Sequence, residues 1–193
     1  MPIPLGVLAV AGAGAAGGAD YVRLQTTILT SVASSVTFSS LDSYSSYKHL
    51  QVRMSLRNEI SGTGSDSLRM RVNGVTSSVY AEHHLRGTGS AVQSGGNISS
   101  TSMRPSIAFI KRAGSIANTF GAGVLDILDF SNSSNNKTFR LFVGEADTAS
   151  STQIGLGEGL FQSTNPITSI EFTTGAGGEN FSVGCRFSLY GIR

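Results

Sequence analysis

Tryptophan is absent from these 193 residues, cysteine occurs once, proline four times, and charged side chains make up only 13%. Each shortage excludes something. A single cysteine, Cys185, cannot close an intrachain disulfide, so the chain is held by packing or by association with other subunits. A net charge of +2 leaves no electrostatic footprint for a polyanion. The basic residues also do not interleave with aromatics, as a single-stranded nucleic-acid groove requires, so nucleic acid is not an expected partner. Of the three histidines, His83 and His84 are adjacent and point to opposite sides of any strand, while His49 stands apart. Zinc needs three or four converging ligands, so neither a metal nor another cofactor is expected. The low charge does not mean disorder, because the chain is 39% apolar with regular periodicity and can form a core.

What is present is alternation. In Leu50-Gln51-Val52-Arg53-Met54-Ser55-Leu56-Arg57 the even positions are apolar and the odd ones polar. Ser67-Leu68-Arg69-Met70-Arg71-Val72 and Phe181-Ser182-Val183-Gly184-Cys185-Arg186-Phe187-Ser188-Leu189 repeat the pattern. Successive side chains on a strand point to opposite faces, so these are half-buried antiparallel strands, with Cys185, Phe181, Val183, Phe187 and Leu189 on the buried register. The whole chain gives about ten strands, near 21–29, 34–40, 48–57, 67–73, 77–85, 105–112, 121–130, 137–144, 153–162 and 167–174, with the last at 180–191. Turn-rich connectors such as Asn73-Gly74 and Ser131-Asn132-Ser133-Ser134-Asn135-Asn136 separate them. Val124 to Phe130 fits a short helix as well as a strand buried on both faces, and its flanking turns favour the strand. Gly87 to Met103 reads as a long exposed polar loop. The fold class is therefore all-β: residues 20–193 form one antiparallel β-sandwich, and so many strands in one domain fit a jelly roll best.

Residues 1–19, MPIPLGVLAVAGAGAAGGA, form a separate Gly/Ala-rich arm. It lacks the positive start of a signal peptide, and its strongly apolar part is much shorter than the roughly 20 residues of a membrane span. Gly12-Ala13-Gly14-Ala15-Ala16-Gly17 spells the dinucleotide fingerprint, but Tyr21 to Thr27 then read as a strand rather than the helix that motif needs. The arm is expected to dock on a partner subunit or inside its own oligomer, with Pro2, Ile3, Pro4, Leu5, Val7 and Leu8 as the anchor.

Few residues suggest chemistry. Asp126, Asp129, Glu145 and Asp147 are the acidic residues of the middle region. A glycan hydrolase would need a carboxylate pair at controlled separation, and nothing in the sequence selects one. Asp126 and Asp129 sit among apolar residues, which favours buried hydrogen bonding or an interface. If 48–57 and 67–73 form a hairpin, Arg53, Arg57, Arg69 and Arg71 share one face that could meet an acidic subunit or an anionic surface glycan.

Several segments together resemble small β-sandwich virion proteins of tailed bacteriophages, of the cyanophage and aquatic type. They are Ser35-Val36-Thr37-Phe38-Ser39-Ser40-Leu41, Tyr47-Lys48-His49-Leu50-Gln51-Val52-Arg53, Gly121 to Phe130, Lys137-Thr138-Phe139-Arg140, Phe187 to Ile192, and the opening Met1-Pro2-Ile3-Pro4-Leu5-Gly6. These motifs are strand cores and turns, so no catalytic residue carries over. The resemblance implies a non-enzymatic component of the particle exterior and a homotrimer, with other virion proteins as partners. A tail or fibre component anchored by the arm is the leading expectation. Capsid decoration is the alternative, and a glycan-binding or glycan-cleaving β-sandwich is the third.

Overall fold

The computed structural model describes residues 20–104, 107–148, 152–175 and 178–193. The arm and its six anchor residues lie outside them. Twelve strands follow in chain order: β1 (Tyr21–Ile28), β2 (Ser35–Phe38), β3 (His49–Leu56), β4 (Ser65–Val72), β5 (Tyr80–Gly87), β6 (Val92–Ser100), β7 (Ala108–Lys111), β8 (Gly121–Leu128), β9 (Lys137–Ala146), β10 (Thr152–Phe161), β11 (Ile170–Thr174) and β12 (Arg186–Ile192). One 3-10 turn, Leu41–Tyr44, is the only helical element among the described residues.

The strands form an eight-stranded sheet, β1-β12-β3-β8-β9-β10-β5-β6, and a four-stranded sheet, β2-β11-β4-β7, and every named strand pair is antiparallel. With β5, β6, β9 and β10 set aside, eight strands remain. Their first, eighth, third and sixth members lie side by side in the large sheet, and their second, seventh, fourth and fifth make the small one. The chain thus passes back and forth between the layers. The two pairs set aside extend the large sheet beyond β8, so it reaches past the cover of the small one.

The core lies between the sheets. Phe172 of β11 meets Phe187 of β12 across the layers with ring centroids 5.5 Å apart, and Phe38 and Phe181 complete the cluster edge-on. Under the extension the cover changes. Gly155, Gly157 and Gly159 of β10 face inward and are buried, and the side chains of Ile107 and Met103 lie directly over Gly155 and Gly159. A Cβ on Gly155 would come within 2.6 Å of Ile107, and one on Gly159 would meet the Met103 sulfur. Glycine is used here because a second segment approaches the sheet closely. Tyr80 fastens the extension from another side. Its buried hydroxyl accepts the Val72 N–H (3.0 Å) and lies 3.0 Å from the Val75 carbonyl, to which it can donate.

The ends of the described chain meet at one corner. Tyr21 pairs with Ile192, and the Arg193 N–H donates to the Asp20 carbonyl at 3.2 Å.

Three expectations need correction. β3 and β4 do not form a hairpin but lie in different sheets, because the chain crosses between layers after Leu56. The region Gly87–Met103 is not one long loop, since it contains β6, whose Gly/Ser/Asn composition hides a strand paired along β5. The last strand begins only at Arg186. Gly184 takes a φ of +87° in a turn, which breaks the alternation and leaves Val183 exposed while Cys185 is buried.

Candidate functional site

The layer crossing separates the four arginines. Arg57 follows β3 and is structural: Nη1 donates to the carbonyls of Ile116 and Thr119, and Nη2 to those of Ala113 and Ser115. One planar guanidinium thus satisfies four loop carbonyls, a geometry an ammonium cannot match. Arg53 lies on the outer face of the large sheet, its guanidinium over the adjoining rings of Tyr21 and Tyr190, 5.0 and 4.7 Å from their centroids. Arg69 and Arg71 belong to β4 in the opposite layer, where Arg69 Nη2 donates to the Gly175 carbonyl. Burial, with Arg104 and Arg71 nearby, lowers the Arg69 pKa from its ordinary value. No single arginine face exists among these four.

The acidic residues divide differently from the expectation. Asp126 is on the outer face, where it accepts from Gln51 Nε2 at 2.7 Å. Asp129 sits at a turn with a φ of +48°, and its backbone N–H donates to His49 Nδ1. The fully buried carboxylates are instead Glu145 and Asp147, which close on the buried ammonium of Lys111, with Asp147 at 2.8 Å. Burial opposes the Lys111 charge, but the two carboxylates outweigh it and its pKa is raised. This cluster joins β7 to β9 beneath the sheet.

His83 and His84 do face opposite ways. The His83 side chain is open to solvent, 3.5 Å from Glu158, whereas His84 is buried beside Glu82, which also accepts from Asn97 Nδ2. Among the described residues no three His, Cys, Asp or Glu side chains group as metal ligands, and no helix is long and apolar enough to cross a membrane.

The surface that sequence reasoning missed is the outer face of the extension. Eleven large apolar side chains are exposed on the described chain. Six of them, Leu85, Val92, Ile98, Phe142, Ile154 and Leu156, come from β5, β6, β9 and β10. Phe142, Leu85, Ile154 and Leu156 are each 50–57% exposed. Registers place Val124, Phe142, Leu156 and Leu85 in one continuous cross-strand row from β8 to β5. The next row toward one end holds Ala122, Gly144, Ile154 and Gly87. Small residues there make the face shallow, and a hollow of about 900 Å³ lies on one side of Phe142, with another of about 610 Å³ on its other side. Toward the opposite end the neighbouring row is polar: Asp126, Arg140 and Glu158, which alternate in charge, and then His83. Arg140 is 3.7 Å from Asp126.

Scattered apolar residues are normal on a surface, but a contiguous apolar band rimmed by charge is how soluble chains meet partners. The signal was present in β10. In Ile154-Gly155-Leu156-Gly157-Glu158-Gly159 the larger side chains occupy one register and glycines the other, and it is the glycines that face inward.

Comparison of the chain with protein-family models, with curated proteins and with solved structures finds no match.

Proposed function

We propose that this chain is a non-enzymatic structural subunit of a larger assembly, built on a jelly roll. The observation that carries the assembly reading is the apolar band on β8, β9, β10 and β5, which costs free energy while it faces water and offers shape and charge for a partner. The strand order supports the jelly-roll reading, since eight strands divided in this order between two four-stranded layers make the two Greek keys of that fold.

The resemblance to phage virion proteins supports placing the assembly on the exterior of a bacteriophage particle. A tail or fibre component, held by residues 1–19, is the leading placement, and the subunit number implied by the resemblance is three. The breadth of the outer face, which spans neighbouring strands rather than one pocket, favours capsid decoration as the second reading. Labelled antibody on purified particles tests both. Signal at the tail supports an appendage. Signal over the head supports a cement role, in which case added protein should delay heat disruption of heads that lack it. Absence of signal from every particle would remove the virion reading.

A further inference from the structure

We propose that two copies of this chain pair face to face through the outer side of the large sheet, about a two-fold axis that runs along the strands between β9 and β10. The inference rests on the assembly reading and sets the subunit number at two, in place of the three that the resemblance implies. Aligned sheets pack about 10 Å apart with strand directions within about 30°. Such an axis keeps each cross-strand row opposite itself and reverses the order of strands within it. β9 of one copy then lies over β10 of the other, and β8 over β5.

Under that exchange the rows become complementary. In the charged row, Arg140 meets the partner subunit's Glu158, two opposite charges, and Asp126 meets the partner subunit's His83, a carboxylate against an imidazole that can donate to it. In the apolar row, Phe142 meets Leu156 and Val124 meets Leu85. In the shallow row, Gly144 lies opposite Ile154, so the absent side chain leaves room for the large one. Each contact occurs twice, as a self-complementary interface requires. An axis running along β10 would instead bring Arg140 over His83, and the charge match would be lost.

The same row decides between occupants. Met1 to Ala19 contain no charged side chain, so the arm could cover the apolar row but would add nothing to the pairs that Asp126–Arg140 and His83–Glu158 already make within the chain. A three-fold arrangement sets the face against a different surface, and its self-complementarity would go unused.

The test uses the full chain and its native mass at micromolar concentration. Wild type should run at twice the 20.0 kDa of one chain. Arg140→Glu sets two carboxylates against each other at both symmetric contacts, and Glu158→Arg does the same with two cations. Each variant alone should weaken pairing by about tenfold or more. An equimolar mixture of the two should pair again, because every 140–158 contact between unlike copies is then Glu against Arg. Phe142→Glu should weaken pairing with no rescue from either. All four side chains in the charged row and the Phe142 ring are solvent-accessible, and circular dichroism controls for folding. A wild-type monomer or trimer overturns the proposal, as does a mixture that pairs no better than the single variants. Particle labelling reads the virion placement separately, so either can fail without the other.

Discussion

Cys185 illustrates how one residue records its surroundings. Its thiol donates to the Arg57 carbonyl at 3.0 Å and its sulfur accepts the Arg57 N–H at 3.1 Å. Burial pushes its pKa up, and the thiol is the unreactive form. Native protein at neutral pH should therefore resist alkylation by iodoacetamide and react on addition of denaturant; equal rates in both conditions would contradict the burial. The apolar register of the last segment made this position legible in the sequence. Lys111 was not legible, because a lone lysine in a short strand reads as a solvated side chain until two carboxylates 34 and 36 positions later are placed around it. Lys111→Met leaves Glu145 and Asp147 buried without their cation and should cost about 3–5 kcal/mol. Urea midpoints measure it, and a loss below about 1 kcal/mol would show that water reaches the pair.

At the level of elements, glycine marks where backbones touch. Gly121 opens β8, and a Cβ there would run into the backbone carbonyl of Phe109. Gly121→Ala should destabilise by about 1–3 kcal/mol or more, since backbone cannot step aside as a side chain can. Gly159→Ala meets only the flexible Met103 side chain and should cost less; thermal melts of the two variants give the order. Strands with alternating apolar and polar residues, such as β3 and β4, were found from sequence with small errors at their ends. β6 was not, because Val92-Gln93-Ser94-Gly95-Gly96-Asn97 has the composition of a loop and pairs along only one edge. The pairing of β3 with β12 and β8 rather than β4 was equally hidden. Alternation reports which face is buried, not which sheet a strand joins.

For the whole molecule, the sandwich was legible and its working face was not. Sequence reading assigns apolar residues to the interior, so the outward side chains of Phe142, Leu156 and Ile154 look like core. Val124 to Phe130 carried the hint, since a strand apolar on both faces has a second face to cover. The buried ionisable groups set the response to alkali. Cys185, Tyr80 and Lys111 all have raised pKa values in the folded chain, the first two through burial and the third through its carboxylates. Folded protein then binds more protons than unfolded, so stability falls as pH rises. Lys137 opposes this, because burial lowers its pKa. With these three groups against Lys137 and Arg69, whose pKa burial also lowers, unfolding free energy should decline once pH passes the ordinary cysteine range and keep falling through the tyrosine and lysine range. Denaturation at stepped alkaline pH measures it, and a rising curve would reverse the sign argument.

The corner where Tyr21 pairs with Ile192 makes the described chain almost a closed ring. A short linker from Arg193 to Asp20 would complete that ring, and new ends could open at the exposed turn around Gly62 without cutting a strand. Such a permutant should keep its far-ultraviolet spectrum and its melting cooperativity. Passengers fused at either end of 20–193 would leave from the β1 edge, three strand spacings or about 14 Å from β8, where the apolar band begins. The fold can therefore carry cargo on one flank while the other flank remains free to associate.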